Sequence, residues 1–327
     1  MKPISLCTIV AAVAATAVLA GQRPLTKIVF LTNYVFQGRH APFFVGRDRG
    51  FYREVGLEID IVPATGSGFV ISALEGGKAD YGMAESVSVV QAAAQGARVK
   101  GFAVFMDAST SGLASLTPYS TPQALQGKTI AASLTDSARV IVPIILSRAG
   151  LDPSAVNWLA SDPSVYFSLL MSGRTDLITA SIDGDLPALR RVTHARGRSV
   201  HFASFADWGY DVFGYFLVAR VDRITSGPEE VRAFAAATVR AVRYAADHPE
   251  EAARSVARGS PALDYDTALA HWRESLKAIH TPFVKQQGYG HATEPRLQRT
   301  IALVHEAFKL NKPLVPGDIY VAGFVPR

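Results

Sequence analysis

The chain has 327 residues, 49% hydrophobic and 19% charged, a balance that describes a globular protein with material for two cores. Net charge is +5, but Arg and Lys are scattered in short clusters such as ALRRVTHARGR with acids between them. No nucleic-acid recognition module accompanies them, so nucleic-acid binding is set aside. The single cysteine, Cys7, leaves the rest of the chain without disulfides, thiolate metal sites or a cysteine nucleophile.

The first twenty residues differ from the rest. Lys2 is followed by Ile4 to Ala20, apolar or small throughout and ending in VLAG. This pattern predicts a secretory signal peptide over residues 1–20, cleaved after Ala20, and hence export. A retained membrane anchor is the alternative, the run being near the lower limit for spanning. Cys7 stands before the apolar run and not after it, which is not a lipoprotein arrangement.

From Lys27 the pattern becomes regular. KIVFLTN reads as a strand, APFFVGRDRGFYREVG as one helix stopped at Gly56, and LEIDIVPA as a half-buried strand. SGFVISALEGG reads as a helix, ADYGMA as a strand, SVSVVQAAAQG as a helix and VKGFAVFM as a strand. Alternation at this spacing predicts a largely parallel sheet with right-handed crossovers.

A second βα series follows STSGLASLT, with its own sheet: TPQALQGKTIAAS, a helix from about Asp136 to Ala149, VNWLAS, a helix to Ser172, TDLITAS, and a helix near Asp185 to His194. SFADWGYDVFGYFLVAR reads as aromatic and strand-like, and the chain beyond Pro228 as helix except for its last fifteen or so residues.

In open parallel sheets, ligands sit beyond the carboxyl ends of the strands. Those ends are Asn33 and Tyr34, Thr65 to Gly68, Ala84 to Ser86, Ser133 to Ser137, and Ser181 to Asp185. In ATGSGF, Gly66 allows close backbone approach and Ser67 can cap a helix or expose N–H groups to an anion or carbonyl. SLTDSAR offers Asp136 or Ser137 in the same role in the second unit. Glu85 reads either as an acceptor for an amino or imino group of a heterocycle or as an ordinary acid at a helix start. Asp183 and Asp185 in ASIDGDLP read as two acids of a metal site or, more simply, as the cap of the helix before Pro187.

Aromatic faces in a cleft stack flat ligands. Tyr34, Phe36, Phe43 and Phe44 lie near the first strand end, and Trp208, Tyr210, Phe213 and Tyr215 in the returning segment. Phe44, Phe51 and Phe213 are expected in the core; Tyr34, Trp208 and Tyr210 are expected to face the cleft. His40 taken alone reads as a surface or structural histidine.

The run HAPFFVGRDRGFYREVGLEIDIVPATGSGFVISALEGGKADYGMAE resembles the start of the substrate-binding proteins of bacterial ABC importers, in the branch with thiamine-precursor, riboflavin, alkanesulfonate and nitrate binders. TPQALQGKTIAAS, LSRAGLDPSAVNWL and LLMSGRTDLITAS are similar to the second-domain signature of that group. The resemblance runs from about Lys27 to Arg220. It implies a type II periplasmic binding fold: two α/β lobes, residues 25–110 with 206–327 and residues 111–205, joined by two crossovers around a ligand cleft. It implies a periplasmic location, a membrane permease and ATPase as partners, a monomer, and no cofactor.

HAP followed by aromatics is similar to the pyrimidine-precursor and riboflavin branch, where the matching histidine lines the cleft; this implies a ligand contact for His40. The fungal members are enzymes with a cysteine-rich motif, which this chain lacks, so the resemblance implies a binding protein. LTNYVFQGR stands where pyrimidine binders show a tryptophan or a proline-rich loop. The expected ligand is a flat N-heterocycle, a hydroxymethylpyrimidine-type thiamine precursor or riboflavin. It is held by Asn33, Tyr34, His40, Phe43, Gly66, Ser67, Glu85, Asp136, Ser137, Asp183, Trp208 and Tyr210. The alternatives are a sulfonate or nitrate-like oxyanion on Ser67 and Ser137, or an enzyme on the same fold, for which no nucleophile–base pair is visible.

Overall fold

A computed structural model describes residues 24–134 and 136–326; the expected signal segment, residues 1–20, lies outside them. Among the described residues, ten strands form two five-stranded sheets. The first sheet holds β1 (Thr26–Leu31), β2 (Leu57–Val62), β3 (Tyr81–Glu85) and β4 (Val99–Met106). The second holds β5 (Ser111–Ser115), β6 (Thr129–Ala132), β7 (Asn157–Ala160), β8 (Leu177–Ser181) and β9 (His201–Ser204). The chain then returns as β10 (Tyr215–Arg220) to the first sheet, giving the orders β2-β1-β3-β10-β4 and β7-β6-β8-β5-β9.

Both sheets are mixed, where the sequence pattern predicted largely parallel ones. β1 pairs in parallel with β2 and β3, but β10 arrives from the second sheet and inserts antiparallel between β3 and β4. In the second sheet β6 runs parallel to β7 and β8, while β5 is antiparallel to β8 and β9. The strands β5 and β9 went unread because SGLAS and HFAS are short and carry few β-branched residues. Of SFADWGYDVFGYFLVAR only the two ends are strand; residues 205–214 form the second crossover between sheets, and residues 107–110 the first.

Helices between strands are α1 (Ala41–Asp48), α2 (Phe51–Glu54), α3 (Ser67–Glu75), α4 (Ser86–Ala94), α5 (Ala138–Arg148), α6 (Tyr166–Met171) and α7 (Leu186–His194). The single helix expected over 41–56 is split, because Gly50 adopts φ 77°, a left-handed value that ends α1. After β10 come α8 (Val221–Ser226), α9 (Pro228–Asp247), α10 (Pro249–Gly259), α11 (Tyr265–Ile279), α12 (Pro282–Gln287), α13 (Glu294–Phe308) and α14 (Pro316–Ile319).

Periodicity explains how these pack. In β2, Leu57, Ile59 and Ile61 are buried while Asp60 is exposed. In α9, Val231, Phe234, Ala235, Thr238, Ala241, Val242 and Ala245 form one buried stripe. Phe234 stacks on Tyr81 with centroids 4.3 Å apart and touches Phe30, Tyr52 and Phe102. α9 and α10 cover α1 on the first sheet, whereas α11 reaches α7 and α13 reaches α5, so both late helices also touch the second lobe. The result is two α/β lobes joined by two crossovers.

Candidate functional site

A cavity of about 310 Å³ opens between the lobes at the carboxyl ends of the strands. The first lobe contributes Glu85, the last residue of β3, and Tyr215, the first of β10. The crossovers contribute Ser109, Thr110, Phe205, Tyr210 and Phe213, and the loop before α5 contributes Asp136 and Ser137. A second hollow of about 380 Å³ adjoins it in the second lobe and shares Asp136, Ser137 and Phe205.

Glu85 and Tyr215 are cross-strand partners on β3 and β10, and the Tyr215 hydroxyl donates to Glu85 Oε1 at 3.1 Å. That hydroxyl accepts Arg39 Nη1 at 2.6 Å. Burial pushes the Glu85 carboxyl above its ordinary value, opposed by the Tyr215 hydrogen bond and the Arg39 charge. Burial also pushes the Tyr215 phenol up, so it remains a neutral donor.

Tyr210 is buried, its hydroxyl has no partner among the described residues, and burial raises its phenol as well. Asp136 accepts the Ala138 N–H at 2.9 Å and the Thr179 hydroxyl at 2.7 Å. The nearest cation in the wall, Arg139, is committed: Nε donates to the Ser133 carbonyl at 2.7 Å and Nη2 to that of Ala132 at 2.9 Å, with the guanidinium over Trp158. The cavity is therefore aromatic-walled and acidic, with its basic group turned to backbone carbonyls.

Of the residues expected at the ligand, Glu85, Asp136, Ser137 and Tyr210 line this cavity. The others are placed differently. Phe43 is fully buried, stacked on Phe105 at 4.8 Å and packed on Phe30, because α1 lies flat on the first sheet. Phe44 is core as well, so both paired phenylalanines are packing residues. His40 is fully buried: Nδ1 accepts the Gln37 N–H at 3.0 Å, so Nε2 carries the proton and donates to Asn33 Oδ1 at 2.9 Å. His40 and Asn33 thus lock the β1–α1 loop and do not reach the cavity.

Tyr34 is 47% exposed and does not line the cavity. Trp208 donates from Nε1 to the Ser120 carbonyl at 3.3 Å and lines a separate hollow with Tyr119 and Phe202. Gly66 precedes α3 with φ 145°, and Ser67 Oγ accepts the Glu85 N–H at 3.0 Å rather than facing the cavity. The two acids after β8 turn to different partners: Asp183 to Arg39 and Ser275, Asp185 to Ser181. Asp185 occupies the N-cap position of α7 without a side-chain cap bond. Phe213, expected in the core, is buried but forms part of the cavity wall.

A family model described as NMT1/THI5 like matches residues 37–252. The chain belongs to the NMT1/THI5-like family. It is 24% identical over 281 residues to 4-amino-5-hydroxymethyl-2-methylpyrimidine phosphate synthase THI13 of Saccharomyces cerevisiae, covering 81% of this chain and 82% of that one. It resembles in fold the periplasmic aliphatic sulphonate binding protein SsuA from Escherichia coli, with a TM-score of 0.68 and 15% identity over 89% of this chain and 91% of that one. The periplasmic nitrate-binding protein NrtA from Synechocystis PCC 6803 superposes with a TM-score of 0.61 and 12% identity, over 90% and 86% of the two chains. These likenesses establish the periplasmic binding protein fold.

Within this NMT1/THI5-like chain, sequence reasoning missed Tyr215, Phe205, Arg39 and the Ser109–Ser111 segment as parts of the site or its support. Tyr215 meets Glu85 only because β10 inserts antiparallel beside β3, a pairing that no local pattern announces. Ser109 and Ser111 carried a usable signal: a Ser/Thr-rich boundary between two βα series is where a crossover must lie.

Proposed function

We propose that this NMT1/THI5-like protein is the periplasmic solute-binding component of an importer, and that its solute is a small flat N-heterocycle bearing N–H donors. A hydroxymethylpyrimidine-type thiamine precursor is the first candidate. The observation that carries this reading is Glu85: one carboxylate oxygen is held by Tyr215, and the other takes no protein hydrogen bond among the described residues, in a cavity walled by Phe205, Tyr210 and Phe213. A carboxylate so placed answers an amino or amidine edge, and aromatic walls answer a ring. A cavity of about 310 Å³ is at the small end for ligand sites and suits one ring. Two carboxylates facing it, with Arg139 committed elsewhere, disfavour a sulfonate or nitrate, which would need free cations or N–H groups.

Periplasmic export and delivery to a permease and ATPase are supported by the fold shared with the sulfonate- and nitrate-binding proteins. The test is calorimetric titration with 4-amino-5-hydroxymethyl-2-methylpyrimidine, riboflavin, an alkanesulfonate and nitrate. Binding of the pyrimidine, weakened at least about tenfold in Glu85→Gln, supports the reading, since a charge-assisted hydrogen bond contributes about 1.5–3 kcal/mol. Binding of the sulfonate or nitrate alone overturns it.

A second reading, a pyrimidine phosphate synthase, is favoured by the names of the curated relatives. It is tested by incubating the protein with the bound heterocycle or its precursors and following products by mass spectrometry.

A further inference from the structure

Arg39 and Asp183 form an ion pair between the lobes, Nη2 to Oδ1 at 2.9 Å, with Arg39 4% and Asp183 1% exposed. Arg39 stands in the short helical turn Gly38–His40 that leads into α1; Asp183 follows β8 in the second lobe. Asp183 Oδ2 accepts the Ser275 hydroxyl of α11 at 2.9 Å, and the neighbouring Ile182 N–H donates to Thr110 in the first crossover at 2.9 Å. A Cβ at Gly184 would stand 3.2 Å from Gln37 Nε2 and 3.3 Å from Arg39 Nη2, so the turn packs closely on these two first-lobe side chains.

A buried ion pair of this kind offsets its own desolvation and contributes little net stability, so its use lies elsewhere. The other terminal nitrogen of Arg39 holds the Tyr215 hydroxyl, which in turn holds Glu85. Two carboxylates, one from each lobe, therefore share one cation.

We propose that Arg39 is a positioning residue that couples lobe closure to the ligand-reading carboxylate. With the lobes together, Asp183 neutralises Arg39 and leaves the Glu85 charge to the ligand. With the lobes apart, Asp183 withdraws and Glu85, through Tyr215, becomes the counter-ion of Arg39. The proposal rests on the reading of Glu85 as a ligand group, but its first test needs no ligand.

That test follows the Glu85 carboxyl by carbon-13 NMR titration, assigned with Glu85→Gln, in the wild type, in Asp183→Asn, and in the double variant Arg39→Met with Asp183→Leu. Glu85 titrates lower in Asp183→Asn and higher in the double variant. An unmoved titration in both overturns the proposal whether or not any heterocycle binds. If Asp183→Asn does not fold, the double variant, which removes both members of the Arg39–Asp183 pair together, decides alone. Where the wild type binds 4-amino-5-hydroxymethyl-2-methylpyrimidine, Asp183→Asn weakens binding at least tenfold without touching the cavity. Unchanged affinity beside a moved titration overturns the coupling to the ligand. Failure of the wild type to bind this pyrimidine counts against the proposed solute, and the titration then decides the Arg39 relay.

Discussion

Ser67 Oγ, at the first residue of α3, accepts the backbone N–H of Glu85 at 3.0 Å. The bond ties the start of α3 to the end of β3 and fixes the backbone from which Glu85 enters the cavity. A serine in a Gly-Ser-Gly turn reads from sequence as a ligand anchor; here its hydroxyl is spent on the backbone of a residue that lines the cavity. Ser67→Ala leaves a backbone donor without its acceptor at an 8% exposed position, and the expected loss is about 1–3 kcal/mol of stability in urea unfolding. A wild-type stability in this variant would show that water replaces the hydroxyl.

Acid sensitivity should come from the buried histidines. Burial, then the Arg39 charge, holds His40 well below its ordinary 6.5. Burial likewise lowers His271, with Asp183 pulling the other way. Both are neutral in the fold, so below pH 6.5 the unfolded chain takes up protons that the folded chain refuses. The stability is complete well above 6.5 and falls as pH drops through the window below it, by up to about 1.4 kcal/mol per pH unit from His40, with His271 adding to the fall over the narrower window that its smaller shift opens. Unfolding free energies at pH 7.5, 6.5 and 5.5 read this slope, and His40→Gln, which keeps an acceptor and a donor, should flatten it.

Arg296 of α13 pins both crossovers. It pairs with Asp107 in the first, donates from Nη2 to the Asp107 carbonyl at 3.0 Å, and reaches Asp211 in the second at 3.4 Å, lying over Phe213. Asp107 is 2% exposed and also accepts the Thr281 hydroxyl. Its carboxyl is raised by burial, against the pull of Thr281 and Arg296. Arg296→Met leaves Asp107 buried without its cation, and the expected cost is about 3–5 kcal/mol at neutral pH. The loss should shrink as the pH is lowered and Asp107 protonates; a loss that stays constant with pH would assign the effect to packing on Phe213.

The elements were legible because their signals are local, such as alternation in LEIDIV and glycines that stop helices, whereas the two-lobe arrangement with two crossovers was implied by the family resemblance. The cavity was legible only in part. Glu85, Asp136, Ser137 and Tyr210 were found because strand ends and polar loop aromatics can be located from pattern alone. Asn33 and Asp183 were drawn into the site by type and position and His40 by the family resemblance, but each is consumed by a partner: Asn33 and His40 by one another, Asp183 by Arg39. Burial of a polar group forces such pairing, and no sequence window contains both members of the Arg39–Asp183 pair. Phe43 and Trp208 show the same limit for aromatics, whose side of a helix or crossover is decided by tertiary packing.

Tyr210 offers a test that separates the ring wall from its hydroxyl. The hydroxyl is buried at the cavity with no protein partner among the described residues, where a ligand that enters can reach it. Tyr210→Phe leaves the ring wall in place and removes only that hydroxyl, so the free variant should unfold close to the wild-type temperature. A heterocycle that donates one edge to Glu85 and offers an adjacent ring nitrogen to Tyr210 would lose a hydrogen bond in the variant, and its affinity should fall roughly tenfold. Thermal unfolding with and without 4-amino-5-hydroxymethyl-2-methylpyrimidine reads the effect: the midpoint of the free protein stays close to the wild type while the ligand-induced shift shrinks. An equal ligand-induced shift in both proteins would remove the Tyr210 hydroxyl from the ligand contacts and leave the tyrosine as wall alone.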